Sequence, residues 1–211
     1  MEFLRISMNR ISDNLKLLEK AGLQITNYSL VSSLSEAVKQ AEKIDYPVVL
    51  KINSDIHKTE VGGVITNIHD KNDLERSWKQ MLENLEKHKI KTKDLLIQKQ
   101  IFGVELILGL KKDIVFGQVI MLGSGGILVE IEKDVSFRVC PITEKDAGDM
   151  INEIKSKKLL EGARGQEPAN IEKLKQTIVK LSKISAKELD INPLIVNENG
   201  SFVADVRIIK D

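Results

Sequence analysis

Hydrophobic positions in the first half of the chain recur with the periods of helices and strands in turn. Spacings of three and four residues, as at Ile11, Leu15 and Leu18, are typical of one buried helix face. Shorter apolar runs between these segments are typical of strands. The predicted helices cover residues 9–20, 33–44 and 70–85. The predicted strands cover residues 23–30, 48–52 and 63–68.

Polar residues, proline and glycine mark the ends of these elements. Ser33 and Glu36 are spaced as a capping box at the start of the second helix. Pro47 ends that helix, and Gly22 ends the first one. The third helix is expected to bury one stripe, formed by Leu74, Trp78, Met81, Leu82 and Leu85.

The second half is richer in strand patterns and closes with a hairpin. Asn199-Gly200 is a strong two-residue turn signal between the last two strands. Lys111-Lys112-Asp113 is expected to form another hairpin turn. The predicted strands cover residues 95–99, 104–110, 114–121, 126–131, 188–196 and 202–209, and further helices begin at Thr143 and Ile171.

This order of elements predicts a two-lobed chain of the α+β class. The first lobe, residues 1–93, has the alternating pattern of a small α/β lobe. The second, residues 94–211, combines antiparallel strands with helices. We place the boundary in the basic, polar segment from Glu86 to Lys93.

Composition limits the function classes. The chain has 211 residues and a net charge of +1, with basic and acidic residues mixed along its length. A nucleic-acid-binding protein is expected to concentrate its basic residues on one face. No apolar run approaches the ~20 residues of a membrane span, and the start lacks the features of a signal peptide. The single cysteine, Cys140, fits a reducing compartment. We therefore expect a cytoplasmic protein that binds neither nucleic acid nor membrane.

Lys51 and His57 form the first candidate site. Lys51 interrupts the apolar run 48–52, and His57 follows in a polar loop that ends at Gly62-Gly63. A buried ammonium group is costly unless it faces a partner or ligand, and glycine allows a loop several backbone conformations. A lysine for phosphate and a histidine in such a loop indicate phosphoryl chemistry. The alternatives are an edge lysine that reaches water and a surface histidine paired with Glu60.

The C-terminal hairpin carries a second set of polar residues. Asn192 shares a strand face with Asp190, because side chains alternate along a strand. Asp205 reaches that face if the connecting loop has an even number of residues. A two-residue loop at Asn199-Gly200 makes Asn192 and Asp205 diagonal neighbours, whereas a four-residue loop from Asn197 to Gly200 places them directly opposite. Either arrangement offers oxygen ligands to Mg²⁺; the alternative is a polar, solvated hairpin face.

A third candidate is the glycine-rich segment Gly123-Ser124-Gly125-Gly126, which follows a predicted strand. Its backbone N–H groups are candidates to bind an anion. No Gly-Lys-Ser/Thr sequence follows, so the segment is not a Walker loop. The alternative is a simple turn.

Several motifs occur together along the chain. They are Tyr46 to Ile52, His57 to Val64, Gly103-Val104-Glu105, Gly125 to Glu130, Asp134 to Arg138, Leu159 to Gly165 and Glu188 to Leu194. In these motifs and their order the chain resembles the nucleotide-binding β subunit of ADP-forming (NDP-forming) acetyl-CoA synthetase. That subunit is an ATP-grasp protein related to the succinyl-CoA synthetase β subunit.

The resemblance implies an ATP-grasp fold and a reversible reaction in which acyl-CoA, ADP and phosphate give a carboxylic acid, ATP and CoA. It also implies Mg²⁺, ATP or ADP as the substrate nucleotide, and a CoA-binding α subunit as partner. His57 matches the histidine that carries the phosphoryl group, and Lys51 matches the lysine that holds nucleotide phosphates. The other matches are Glu105 near the ribose, Gln98 and Lys99 on the adenine-facing strand, Gly125 and Gly126 in the glycine-rich loop, and Asn192 and Asp205 as magnesium ligands. Many relatives carry an acidic residue where Lys99 stands.

Two other functions stay open at this point. One is a succinyl-CoA synthetase-like β subunit, which His57 argues against because that branch is expected to lack this histidine. The other is a non-catalytic ATP- or ADP-binding interaction module with the same fold. The co-occurrence of Lys51, His57, Asn192 and Asp205 argues against it.

Overall fold

The computed structural model describes residues 10–54, 61–92, 94–125, 134–162 and 167–209. Within these ranges the helices are α1 (Ile11–Lys20), α2 (Leu34–Ile44), α3 (Lys71–Lys87), α4 (Glu144–Glu153), α5 (Lys157–Leu160) and α6 (Ile171–Leu181). The strands are β1 (Tyr28–Val31), β2 (Val48–Ile52), β3 (Val64–Ile68), β4 (Leu95–Lys99), β5 (Val104–Asp113), β6 (Gly117–Ser124), β7 (Val135–Val139), β8 (Glu188–Asn197), β9 (Gly200–Val203) and β10 (Val206–Ile209). Helices beside antiparallel sheets confirm the predicted α+β class. In the described ranges, every helix is too short or too polar to cross a membrane.

The described chain divides into two compact units. Unit 1 holds residues 10–13 and 26–100, and unit 2 holds residues 14–25 and 101–209. The division after Gln100 follows from strand pairing, because β4 lies between β1 and β2 in the sheet of unit 1. The predicted lobes, 1–93 and 94–211, differ from these units since they assign β4 to the second lobe and residues 14–25 to the first.

Unit 1 is built on a four-stranded antiparallel sheet in the order β1-β4-β2-β3. All five residues of β2 are buried. Leu50 and Ile52 belong to a hydrophobic core that includes Ala41 of α2 and Leu74 of α3. Lys51 lies between them in sequence, so it points to the other face of the sheet.

The predicted helices of unit 1 are confirmed with small differences at the capping residues. The Ser33 side chain accepts the Glu36 N–H and caps α2, and the Glu36 carboxylate accepts both the N–H and the hydroxyl of Ser32 at 2.8 Å. The predicted stripe of α3 is wrong at Leu82, which is 49% exposed. Leu82 lies one position, or about 100° of rotation, beyond the buried Met81, which turns it out of the core.

Unit 2 is built on a six-stranded sheet in the order β10-β8-β5-β6-β7, with β9 also paired to β8. The central strand β5 contributes Leu106, Leu108 and Leu110 to its core. α4 begins with a complete capping box, in which Thr143 and Asp146 each accept the backbone N–H of the other. This confirms the helix predicted to start at Thr143.

The predicted turn at Lys111-Lys112-Asp113 is wrong. β5 continues to Asp113, and the turn falls at residues 114–116. The Asp113 carboxylate accepts the N–H groups of Val115 and Phe116 at 2.8 and 2.9 Å. An aspartate that closes a turn in this way overrides the strand-like apolar residues after it.

The predicted strand over residues 23–30 is correct only in part. Tyr28–Val31 form β1 in unit 1, whereas Ile25 forms a bridge with Val203 in unit 2. The chain passes from unit 2 to unit 1 between Ile25 and Thr26, so the two ends of the predicted strand pair in different sheets. The predicted strand over residues 126–131 lies outside the described residues.

Candidate functional site

Lys51 and Gln98 lie on neighbouring strands of unit 1 and share one face of its sheet. β2 and β4 pair Val49 with Gln98 and Lys51 with Leu96, and side chains directly opposite share a face. The Lys51 residue is 5% exposed and Gln98 is 1% exposed. The Gln98 amide donates a hydrogen bond to the hydroxyl of Thr26. A buried ammonium group and a buried amide are therefore diagonal neighbours on the face that turns away from α2 and α3.

Lys99 points to the opposite face. Its Nζ donates to the carbonyl oxygens of Asp45 and Tyr46 at 3.0 and 2.9 Å, and the Asp45 carboxylate lies 3.4 Å away. These groups follow the last turn of α2, where a cation stabilises free carbonyls. The structure thus does not bring the Lys99 side chain together with Lys51 and Gln98.

His57, the predicted phosphoryl carrier, lies outside the described residues, as does Gly126. The described chain stops at Ser54 and resumes at Val61. Asn53 and Ser54 are buried, so the segment that contains His57 starts from a well-packed end of β2.

Asn192 and Asp205 are directly opposite each other in unit 2. Leu194 pairs with Val203 and Ile191 pairs with Val206, and this constant register places Asn192 opposite Asp205. The Asn192 N–H donates to the Asp205 carbonyl oxygen at 3.2 Å. The register is the one predicted for a four-residue loop from Asn197 to Gly200. The loop itself has two residues, Glu198 and Asn199, because Asn197 pairs with Gly200, so the predicted turn at Asn199-Gly200 is one residue too late.

The polar face around this pair is acidic. Asp190 lies two positions before Asn192 and is paired with Arg207. Burial raises the pKa of Asp190, the charges of Glu188 and Asp205 raise it further, and Arg207 opposes them. The sequence-based set of site residues omits Asp190, although the alternation of β8 already placed it on the face of Asn192.

Glu105 and Gly125 meet at the start of β5. The Gly125 N–H donates to the carbonyl oxygen of Glu105 at 2.8 Å, so this N–H is engaged within the protein. A Cβ atom at Gly125 would lie 2.6 Å from that carbonyl group, which explains the glycine. The Glu105 residue is exposed.

Asp134 is a buried acid that ties together three segments of unit 2. It accepts a hydrogen bond from the Ser124 hydroxyl and the N–H groups of Lys155 and Ser156 at 2.8 and 3.3 Å. Burial opposes its ionisation, but the hydrogen bonds from Ser124, Lys155 and Ser156 outweigh that effect and hold the pKa of Asp134 below its ordinary value. Asp134 therefore fixes the strand ends beside Gly125.

A metal ion bound to the described residues would have few side-chain ligands. The described residues contain no group of three or more His, Cys, Asp and Glu side chains that could hold one. Asn192 and Asp205 provide two opposed oxygen donors, with Asn192 exposed to solvent. This fits Mg²⁺, which is bound through one or two side chains together with waters and substrate phosphates.

Comparison with known proteins identifies the family. Residues 10–209 match the model of the ATP-grasp domain. The chain is 42% identical over 214 residues to the β subunit of acetate–CoA ligase (ADP-forming) II from Pyrococcus furiosus, which covers 92% of this chain and 88% of that one. It is 40% identical over 208 residues to acetate–CoA ligase (ADP-forming) I from Archaeoglobus fulgidus, where the match covers 94% of this chain but only 30% of the relative's length.

Solved structures of one relative are similar to this chain over nearly its whole length. The dinucleotide-forming acetyl-coenzyme A synthetase 1 of Ca. Korarchaeum cryptofilum, in complex with coenzyme A, Ca-AMPCP and HgCl⁺, superimposes with a TM-score of 0.89 at 37% identity, covering 96% of this chain and 93% of that chain. A second structure of that protein holds coenzyme A and Mg-AMPPCP, with a phosphohistidine segment that points towards the nucleotide binding site (TM-score 0.79, 38% identity, 95% and 92% covered). A third holds this segment phosphorylated in a site I orientation (TM-score 0.81, 38% identity, 95% and 92% covered).

The matched model and the two sequence relatives define an ATP-grasp protein. The chain belongs to the ATP-grasp family, in the group that contains the β subunits of ADP-forming acetate–CoA ligases. The predicted fold and the resemblance read from the motifs are thereby confirmed.

Proposed function

We propose that this chain is the nucleotide-binding β subunit of an ADP-forming acyl-CoA synthetase, in which His57 passes a phosphoryl group to ADP. The overall reaction converts acyl-CoA, ADP and phosphate into a carboxylic acid, ATP and CoA. The observation that supports it best is the nearly full-length likeness to a β subunit and to a synthetase that holds coenzyme A and Mg-AMPPCP.

The step assigned to this chain is a phosphoryl transfer. A terminal β-phosphate oxygen of ADP attacks the phosphorus carried on His57, a P–O bond forms, and the N–P bond breaks. The released imidazole nitrogen takes up one proton, so His57 returns to its neutral form. Imidazole suits this task because it is nucleophilic when neutral near pH 7.

The fixed residues of unit 1 supply positioning and charge. Phosphoryl transfer depends mainly on orientation and on neutralising the phosphate oxygens. The ammonium group of Lys51 is held on a fully buried strand, where its attraction for phosphate is stronger than in water. We assign Gln98 to the adenine-facing strand β4, on the sheet face that it shares with Lys51 of β2, and we assign Lys99 to the end of α2 instead.

The remaining residues with a proposed role belong to unit 2. Asn192 and Asp205 would hold Mg²⁺, which neutralises charge on the nucleotide phosphates when it is bound. The exposed Glu105 carboxylate is assigned to the ribose hydroxyls. We assign Gly125 a structural role, because its N–H already donates to the carbonyl oxygen of Glu105. Only a residue without Cβ allows this contact.

The proposed partner is a CoA-binding α subunit. The first relatives matched include single chains of which this chain spans 30% of the length, whereas the P. furiosus relative is a separate β subunit of similar length. The likeness to that separate subunit supports a second polypeptide that binds CoA and forms the acyl phosphate.

Labelling with [γ-³²P]ATP and Mg²⁺ tests this proposal on the purified chain. We expect an acid-labile, base-stable label that maps to His57 and is lost in His57→Asn. The control is His88→Asn, which changes an exposed histidine at the end of α3. Labelling that survives His57→Asn would overturn the role of this histidine.

The non-catalytic alternative is tested in the same assay. Nucleotide binding without label, both alone and with a cognate CoA-binding subunit present, would favour an ATP-binding module. Acyl-CoA-dependent ATP synthesis by the reconstituted pair, abolished in His57→Asn, would favour the synthetase.

A further inference from the structure

Two asparagine side chains hold the chain on either side of residues 55–60. Asn53 follows the end of β2, and Asn84 lies on α3 opposite Gly62. Eight residues, 54–61, lie between Asn53 and Gly62, and His57 is one of them. The mechanism proposed above assigns no role to either asparagine.

Asn53 fastens the first end to the start of α1. Its Oδ1 accepts the N–H of Ser12 at 3.0 Å, and its Nδ2 donates to the Ser12 hydroxyl at 3.1 Å. The Ser12 N–H belongs to the first turn of α1, where helix N–H groups lack intrahelical partners. Both residues are buried, at 5% and 1% exposure. An amide is suited to this place because it accepts and donates at once.

Asn84 fastens the second end to α3. Its Nδ2 donates to the carbonyl oxygen of Gly62 at 2.9 Å. Gly62 has a φ of +62°, and a Cβ atom there would lie 2.5 Å from Asn84 Nδ2. Val61, the neighbouring residue, packs against the hydrophobic core of unit 1. The Ile52 N–H also donates to the Gly63 carbonyl oxygen at 2.9 Å, which closes the two ends on each other.

We propose that Asn53 and Asn84 are positioning residues for phosphoryl transfer, which fix both ends of the His57 segment. This inference rests on the proposed function of His57. In the sequence His57 lies four positions after Asn53 and five before Gly62. Because so few residues connect His57 to each anchor, a loosened anchor is expected to displace the reacting nitrogen.

Loosening either end of the His57 segment is expected to lower the rate of phosphoryl transfer but not the affinity for nucleotide. A misplacement of about 1 Å at a reacting centre costs up to about 100-fold in rate. Neither asparagine belongs to the residues assigned to the nucleotide. The expected signature is therefore a lower rate of His57 phosphorylation with an unchanged dissociation constant for Mg-ADP.

The test compares Asn53→Ala and Asn84→Ala with Asn72→Ala, a matched change at an exposed position of α3. Three quantities are measured for the full chain: the rate of labelling by [γ-³²P]ATP at saturating nucleotide, the Kd of Mg-ADP, and hydrogen exchange of the peptide spanning residues 53–62. We expect both anchor variants to label about tenfold more slowly, with unchanged Kd and faster exchange in that peptide. Ser12→Ala removes one of the two Asn53 hydrogen bonds and should give a smaller effect.

Wild-type labelling rates in both anchor variants would overturn the proposal. So would slower labelling accompanied by a matching loss of nucleotide affinity or of folded protein, because that is a general structural defect. If the wild-type chain takes no label, either alone or with a cognate CoA-binding subunit present, the proposed function fails, and the exchange data alone decide the anchoring. Unchanged exchange in both variants then overturns it as well.

Discussion

The two units of this chain present their polar residues in opposite ways. In unit 1, Lys51 and Gln98 are almost completely buried, whereas in unit 2 Asn192 is exposed and Asp205 is partly exposed. A buried ammonium group interacts strongly with phosphate because little water screens it. A magnesium ion keeps several of its waters, so its protein ligands must remain open to solvent. Burial thus separates the residue that we propose to bind phosphate from the pair that we propose to bind the metal.

The strand patterns already differ in the same sense. The β2 sequence Val48-Val49-Leu50-Lys51-Ile52 is apolar on both faces apart from one lysine, as expected for a strand covered on both sides. The β8 sequence from Glu188 to Asn192 alternates polar and apolar residues, as expected for a strand with one solvated face. Substitutions in each unit test whether the buried and the open polar residues behave differently.

Lys51→Met should have the largest effect. It keeps the length of the side chain on a buried strand but removes the charge, and loss of one electrostatic group at a reacting centre costs about 100-fold or more in rate. The measurement is the rate of His57 labelling by Mg-[γ-³²P]ATP, with the exposed Lys39→Met as control. A labelling rate within a few-fold of wild type, in a chain of unchanged melting temperature, would contradict the role of Lys51.

Asp205→Asn should have a smaller effect that depends on magnesium. The amide retains an oxygen for the Val206 N–H, which the Asp205 carboxylate accepts at 2.8 Å, but removes the negative charge. We expect the Mg²⁺ concentration for half-maximal nucleotide binding to rise about tenfold. Nucleotide binding is titrated with Mg²⁺ for this variant and for Glu188→Gln. An equal shift in both variants would mean that general acidity, rather than the Asn192–Asp205 pair, attracts the metal.

Asp134→Asn should lower stability in a pH-dependent way. The folded protein holds the pKa of Asp134 below its ordinary value of 3.8, so its stabilisation is complete above that pH and is lost as the pH falls through the folded pKa. Loss of hydrogen bonds to a buried charge costs about 1.5–3 kcal/mol of unfolding free energy. Urea unfolding at pH 7 and at pH 3 should show this difference shrinking in acid. A difference between wild type and variant that is equal at both pH values would contradict the assigned cause.

Lys99→Met should have the smallest effect on the nucleotide. Its ammonium group binds carbonyl oxygens that follow α2, and such a cation contributes about 0.3–1 kcal/mol. We expect a small fall in melting temperature and an unchanged Kd for ADP. Gln98→Leu, at the adjacent position on the other face, should weaken ADP binding. The reverse order of the two affinities would show that Lys99, and not Gln98, faces the nucleotide.

The local patterns predicted most helices and strands correctly, because their signals lie within a few residues. The capping residues of α2 and α4 are three positions from their partners. The strand predicted over residues 23–30 is correct only in part, for a non-local reason, since its two ends pair with strands of different units. The turn after β5 failed because the side chain of Asp113 determined it.

The candidate site residues also fall into two groups: those that strand alternation placed correctly, and those whose roles depend on partners distant in the sequence. Strand alternation correctly placed Asn192 and Asp205 on one face, and the position of the turn, at Glu198 and Asn199, decided between the two registers that the sequence allowed. The opposite faces of Gln98 and Lys99 also follow from alternation. The hydrogen bonds that give Lys99 its role, however, come from residues more than 50 positions away. Asp134 was recognised only as part of a motif, because its partners lie up to 22 positions away.

By itself the sequence determined the family, the order of most elements, and the residue types suited to phosphoryl transfer. It did so because periodicity, capping and motif order are properties of neighbouring residues. Only the tertiary structure decided that Lys51 and Gln98 are buried together, that Asn192 is opposite Asp205, and that Asn53 reaches Ser12 across 41 positions. Those pairings bring together residues distant in the chain, and the packing of sheets and helices, rather than any local propensity, determines them.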